Sequence, residues 1–174
     1  MTDYNILYTD DSEQIINVWH NVFGDTEEDI KFFLDNCKNK KCLGLFVNCK
    51  LISMLFLVDC KYNNLSGEYI YAVATLKDYR QKGYAAKLID FAKAEMKDFL
   101  WLIPANLNLF DYYKKFGFET KLFSDKKYEN YISFNENEGI KEYLYEGSDF
   151  DFPKGMVFSN KNFEIGNTGF NFKE

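Results

Sequence analysis

Hydrophobic positions recur with two spacings along this chain. A period near 3.6 marks helix faces; a period of two, or an unbroken apolar run, marks strands. Tyr4 to Tyr8 predicts a short first strand. "DDSEQIINVWHNVFG" predicts a helix capped by Asp11 or Ser12, with Ile15, Ile16, Trp19 and Phe23 on its apolar face. "DTEEDIKFFLDNC" restarts a helix, with Thr26 as N-cap and acids in the first turn. "CLGLFVNCKLISMLFLVDCKY" predicts two strands joined by a tight turn at Asn48 to Lys50. "NNLSGE" reads as turn. The following "EYIYAVATL" is a near-continuous apolar strand, as expected where both sheet faces are covered.

"LKDYRQKGYAAKLIDFAKAEM" predicts the next helix, with Ala85, Leu88, Ile89, Ala92, Met96 and Phe99 on one face. "FLWLI" is a short buried strand. "NLFDYYKKFG" is a short helix closed by Gly117, and "FETKLF" with "YENYISF" predicts a final hairpin. The order of elements implies an α/β fold, a mixed sheet with helices on both faces. Residues 1–134 are expected to form the core. Residues 135–174 are expected to form an extension that packs on it, because aromatic residues continue to the end. Acids Glu142, Glu146, Asp149 and Asp151 interleave with those rings, a mixture that suits either an acceptor wall or a plain sheet or dimer contact.

Composition narrows the function classes. The chain has 174 residues, 18 Phe and 13 Tyr, which argues against disorder. Its net charge of -6 disfavours general nucleic-acid binding, which needs a basic face, and favours a cationic or amine substrate. No apolar run approaches a membrane span, and "MTDYNILYTDD" lacks the features of a signal peptide. Cys37, Cys42, Cys49 and Cys60 form no C-x-x-C pair, and the single histidine, His20, cannot complete a ligand set with them by proximity in sequence. The expectation is a cytoplasmic protein with free thiols and no metal, Cys49 and Cys60 lying in or beside strands as buried thiols. His20 is expected to be exposed or partly packed, with an acceptor-site role as the alternative.

One junction stands apart. The strand "YIYAVAT" runs into a helix through a segment carrying Lys77, Arg80, Lys82 and Lys87, with Gly83 at the turn. Helix N-termini offer backbone N–H groups without intrahelical partners and a positive dipole end, hence an anion site. Gly83, Ala85 and Ala86 keep close approach to the backbone open. Neither the Walker pattern nor G-x-G-x-x-G is present. On these grounds alone the turn is either an anion site or an ordinary junction with solvated lysines.

"YRQKGYAAKL" resembles the acyl-CoA pyrophosphate loop of the GNAT acetyltransferase superfamily, [RQ]-x-x-G-x-[GA], through Arg80, Gly83 and Ala85. "AVATLKDYR" resembles that family's strand end, with Thr75 and Lys77 where Val and Pro are common. "PANLNLFDYYKKFGFE" is similar to the later family motif through Asn106, Tyr113, Lys115, Gly117 and Phe118. The resemblance covers about residues 4 to 134. It implies a mostly antiparallel GNAT-like fold and an N-acetyltransferase that uses acetyl-CoA and the primary amine of a small molecule or peptide. It implies a monomer or homodimer without nucleic-acid or membrane partners.

The resemblance also implies roles. Backbone N–H groups from Gln81, Lys82, Gly83, Tyr84, Ala85 and Ala86 would cradle the pyrophosphate. The Val73, Ala74 and Thr75 strand end would meet the pantetheine arm through the main chains of Val73 and Thr75. Pro104, which has no N–H, would let the neighbouring strand splay, or merely end it. Asn106 would bond the pantetheine amide or cap the next helix. Tyr113 would protonate the departing thiolate, with core packing as its alternative and Tyr112 as its rival. Glu68 is a candidate base, one residue off the usual register unless a bulge intervenes, and equally a solvated strand-end residue. The acids of "GDTEED", Gly24 to Asp29, would attract an ammonium group or serve as helix-start charges. A non-catalytic CoA-binding regulator and a purely structural domain are the rival classes.

Overall fold

The computed structural model describes residues 2–145, 147–163 and 168–173; Glu146 of the acidic series lies outside them. Chain order is β1 (Asn5–Thr9), α1 (Ser12–Phe23), α2 (Glu27–Asn36), β2 (Lys40–Val47), β3 (Lys50–Tyr62) and β4 (Leu65–Thr75). A 3₁₀ turn (Lys77–Tyr79), α3 (Tyr84–Glu95), β5 (Phe99–Leu102), α4 (Leu107–Lys114), β6 (Glu119–Leu122) and β7 (Asn130–Tyr131) follow. A 3₁₀ stretch (Asn135–Leu144), β8 (Gly155–Ser159) and β9 (Thr168–Gly169) complete the elements. The fold is mixed α/β with mostly antiparallel strands. Two compact units divide the chain: Met1–Val58 with Ile70–Ala94, and Asp59–Tyr69 with Glu95–Glu174.

In the first unit strands neighbour in the order β1-β2-β3-β4. β1 and β2 pair antiparallel, as do β2 and β3, across a turn in which Asn48 and Cys49 both have positive φ (50° and 64°). That geometry matches the twist of a two-residue hairpin. Asp11 caps α1 by accepting from the Gln14 N–H, and Thr26 caps α2 by accepting from the Asp29 N–H. Trp19, Phe33, Phe56 and Tyr71 form the aromatic centre, with Phe33–Phe56 and Trp19–Phe33 centroids 5.0 and 5.2 Å apart. The buried face of α1 is Ile15, Val18 and Trp19. Phe23, expected on that face, is exposed at the helix end, and Ile16 is half-buried.

In the second unit the order is β4-β5-β8-β6, with β7 and β9 as a separate parallel pair. β4 and β5 run parallel, Gly67–Tyr69 opposite Phe99–Trp101. β8 pairs antiparallel with both β5 and β6. The expected hairpin of residues 118–123 with 128–134 does not form. β6 takes β8 as its partner, and β7 takes β9. β8 is the apolar run "GMVF", whose Met156 and Val157 are buried and pair with Trp101 and Leu102, whereas Asn130 and Tyr131 of β7 are half-buried and exposed. Trp101 is fully buried and stacks on Tyr69 at 4.6 Å, with Phe134, Phe170 and Phe172 around it. Of the eight rings after residue 135, Phe163, Phe170 and Phe172 are buried, Tyr145, Phe150 and Phe158 are half-buried, and Tyr143 and Phe152 are exposed.

Two boundaries moved. "NNLSGE" is not all turn: β4 already starts at Leu65, and a Cβ at Gly67 within it would collide with the Phe99 ring. Only glycine lets β5 lie that close. The helix expected from Leu76 begins at Tyr84, since Gln81 and Gly83 hold positive φ (62° and 77°). Phe99, expected on that helix face, belongs to β5.

The cysteines sort by burial. Cys37, Cys42 and Cys60 are buried; Cys49, expected to be buried, is exposed on the β2–β3 turn. Burial pushes the Cys37 thiol up to about 11 and the Cys42 thiol up to about 12, and raises Cys60 as well. A thiol reagent such as Ellman's is therefore expected to label one cysteine rapidly at neutral pH, and the other three only on unfolding. Cys49→Ser should remove the fast phase; a second fast thiol in the native protein contradicts this placement.

Candidate active site

Strand β4 carries Glu68 near its start and Val73, Ala74 and Thr75 at its end. Tyr69 and Ile70 are buried, as are Tyr71 and Ala72. Ala72 holds φ +54°, a left-handed conformation inside a strand. Such a residue marks a bulge and resets which way the following side chains point. Glu68 therefore lies on the far side of a bulge from Val73 to Thr75. It does not sit at a solvated strand end: it is the fourth residue of β4 and only 7% exposed.

After the bulge, Ala74 and Leu76 turn their backbones toward β3. The Leu76 N–H donates to the Ile52 carbonyl at 2.9 Å, and the Ala74 carbonyl accepts from Ser53 Oγ at 3.3 Å. Strand alternation then directs the N–H and C=O of Val73 and Thr75 away from β3. Fully buried Ser53 also lies 2.8 Å from Thr75 Oγ1, fixing the side chain of that residue. Ser53 was invisible in the sequence, since a lone serine in an apolar strand carries no pattern.

The turn beyond β4 is held by its own arginine. Arg80 Nε donates to the Thr75 carbonyl at 3.0 Å, tying the loop to the strand end. Lys87 N–H donates to the Gly83 carbonyl at 3.1 Å, the first bond of α3. The N–H groups of Tyr84, Ala85 and Ala86 thus precede the internal helix ladder and have no acceptor within it. Gln81 and Gly83 are both left-handed (φ 62° and 77°), backbone geometry of the kind that anion-binding turns use. A Cβ built on Gly83 meets nothing within 4 Å, so the space above the turn is open. An anionic group suits this place: N–H groups outside the helix ladder, the positive end of the helix dipole and an open approach occur together.

Cations surround the turn. Lys82 Nζ lies 5.4 Å from the Tyr79 ring centroid and Lys50 Nζ 5.8 Å from the same ring. Lys87 Nζ lies 5.0 Å from the Tyr4 ring. Asp78 is the acid within the loop itself. Lys50 belongs to the β2–β3 hairpin and joins this group only through the fold, so its sequence position gave no sign of it.

The second unit holds the remaining candidates. Asn106 caps α4: its Oδ1 accepts from the Leu109 N–H at 3.2 Å. Pro104 follows β5 and is buried. Tyr113 is the buried residue of α4, 7% exposed, with its ring 5.2 Å from Tyr112 and 6.1 Å from Phe118. Gly117, at φ +88°, ends the helix, with the Phe118 N–H reaching back to the Tyr113 carbonyl at 3.3 Å. That closure fixes the last turn, and with it the Tyr113 backbone.

The "GDTEED" acids are mostly engaged. Asp25 accepts from Trp19 Nε1 at 2.8 Å, Asp29 from Thr26 Oγ1 at 2.8 Å, and Glu27 pairs with Lys31 at 2.7 Å. They act as helix-start charges and links between α1 and α2. His20 is exposed, with Nδ1 2.8 Å from the Asp25 carbonyl. Among the described residues no group of three or more His, Cys, Asp and Glu is placed to hold a metal ion. None of the described helices is long and apolar enough to cross a membrane.

A strand runs through a glycine turn into a helix whose first amides lie outside the helix ladder, within a mixed and mostly antiparallel sheet. Residues 3–121 match the family model for the acetyltransferase (GNAT) domain. The chain belongs to that family. Among solved structures it is similar to a histone acetyltransferase-related protein of Corynebacterium glutamicum, at 10% identity and TM-score 0.68, over 95% of this chain and 100% of that one. An aminoglycoside 6'-acetyltransferase type Ii aligns at 11% identity and TM-score 0.64, over 92% and 99% of the two chains. A probable N-acyltransferase of Enterococcus faecalis aligns at 16% identity and TM-score 0.55, over 70% of this chain and 33% of that one. The chain thus spans about a third of that last protein. At such identities the likeness is one of fold. No curated protein matches the chain significantly.

Proposed function

We propose that the protein transfers an acetyl group from acetyl-CoA directly to the primary amine of a small molecule or peptide. The observation that carries this reading is the turn at Gln81–Ala86, with amides that precede the helix ladder and clear space over Gly83. Family membership supplies the donor class. An aminoglycoside acetyltransferase among the similar folds is compatible with an amine acceptor.

In this reading Gln81, Lys82, Gly83, Tyr84, Ala85 and Ala86 hold the pyrophosphate through backbone N–H groups, and Arg80 keeps their turn in shape. The outward main chains of Val73 and Thr75, with Ala74 between them, bind the pantetheine arm as an added strand. Asn106 caps α4 and offers its amide nitrogen to the same arm. Acetyl-CoA supplies the activated acyl group when bound. The amine attacks as the free base, and its proton leaves to Glu68 directly or through water. The carbon–sulfur bond breaks as the thiolate takes the Tyr113 phenolic proton. A strand N–H stabilises the developing oxyanion.

Incubation with acetyl-CoA and an amine panel, following thiol release beside a CoA-binding titration, tests the reading. Amine-dependent thiol release supports transfer. Tight CoA binding with no turnover on any amine leaves only a CoA-binding regulator, and no binding leaves neither. Gly83→Val should weaken CoA binding at least about tenfold, because the β-branched side chain occupies the approach and strains a left-handed backbone. A folded Gly83→Val protein with parental CoA affinity would remove the turn from the site.

A further inference from the structure

We infer that the second unit carries a separate binding site for an organic anion with a flat apolar body, such as an aromatic carboxylate or sulfonate. The site is a cavity of about 390 Å³, within the size range of small-ligand pockets. Tyr131, Tyr145, Phe170 and Phe172 give it aromatic walls, and Lys126, Lys127 and Lys173 bring positive charge. Asp151 is the single carboxylate of the lining. In a chain of net charge -6, a cavity with three lysines to one acid is a local reversal of sign.

Three features make the lining suited to a ligand. The walls are rigid: Phe172 stacks on Tyr145 at 5.3 Å and lies 5.9 Å from Phe170, and both phenylalanines are buried in the aromatic cluster around Trp101. No carboxylate lies within ion-pair distance of Lys126, Lys127 or Lys173 among the described residues; Lys126 lies 5.5 Å from the Tyr128 ring and feels the Asp125 charge at longer range. Asp125, the residue before Lys126, accepts from the Tyr128 hydroxyl, and that bond, with smaller contributions from Lys126 and Lys154, keeps its carboxyl below the usual range. An aromatic anion satisfies both surfaces at once, its ring lying on the walls and its charge on the lysines. All of this lining comes from the segment after β6, which the family match ending at residue 121 does not include.

The probe is 8-anilinonaphthalene-1-sulfonate, paired with its uncharged counterpart N-phenyl-1-naphthylamine, in fluorescence titrations of the full chain. The sulfonate is expected to saturate at one site and to stay bound with saturating CoA present. Lys127→Glu/Lys173→Glu should weaken it about tenfold or more, since charge-assisted contacts are lost, while leaving the neutral probe unchanged. Both lysines are exposed, and Lys127→Gln/Lys173→Gln provides a milder version with the same direction. Absence of saturable sulfonate binding, displacement by CoA, or parental affinity in both double variants overturns the assignment. It stands independently of acetyl transfer, because none of these readouts involves turnover.

Discussion

Tyr113→Phe is expected to lower turnover about 100- to 10,000-fold while CoA affinity stays nearly unchanged. The substitution removes one hydroxyl and keeps the ring, so the contacts with Tyr112 and Phe118 survive. The short helix that carries Tyr113 is fixed at both ends, by the Asn106 cap and by the Gly117 turn, so the phenol has a set position. If Tyr113 served packing alone, phenylalanine would serve as well and the rate would be retained. Single-turnover rates, where chemistry limits, make the decision. A parental rate in Tyr113→Phe, or an equal loss in Tyr112→Phe alone, would move the acid elsewhere. Half-buried Tyr112 lies on the same helix but outside its buried face.

Truncation after Phe134 is expected to leave a protein that cannot fold its second unit. The deletion removes β8, the strand hydrogen-bonded to both β5 and β6, and bares the β5 edge from Phe99 to Leu102, now at most 3% exposed. It also removes Phe163, Phe170 and Phe172, whose full burial is worth on the order of 2 kcal/mol each. Together with the lost strand pairing, that approaches the whole stability of an ordinary domain, roughly 5–15 kcal/mol. Soluble yield and near-ultraviolet circular dichroism measure the outcome. A cooperative unfolding transition near the parental temperature in the truncated chain would contradict it. A bare apolar edge is also prone to intermolecular pairing, so aggregation is the expected form of failure.

Much of the candidate site was legible because it is local. Strand β4, the glycine turn and α3 follow one another in sequence, and Gly83, Asn106 and Gly117 each do backbone work that their residue types announce. Glu68 was only half legible. Its position in the chain suggested a base, but its burial depends on β4 starting at Leu65, and its register depends on the bulge at Ala72. An alanine in a left-handed conformation has no local signature, since the cost is met by surrounding packing.

Periodicity and capping residues settled where helices and strands lie, because each signal is read within a few residues. Asp11, Thr26 and Asn106 cap the helices predicted for them. Pairing was decided in three dimensions. Residues 118–123 and 128–134 read as a hairpin, yet β6 found its partner more than thirty residues on in β8, and β7 found β9. Adjacent strands form a hairpin only when the turn and both faces agree. Here buried Met156 and Val157 covered the β5 edge better than polar Asn130 and Tyr131. The same logic placed Lys50 beside Tyr79 and Lys173 beside Lys126: charge and ring type are properties of residues, but their convergence on one cavity or one turn exists only after the long-range contacts form.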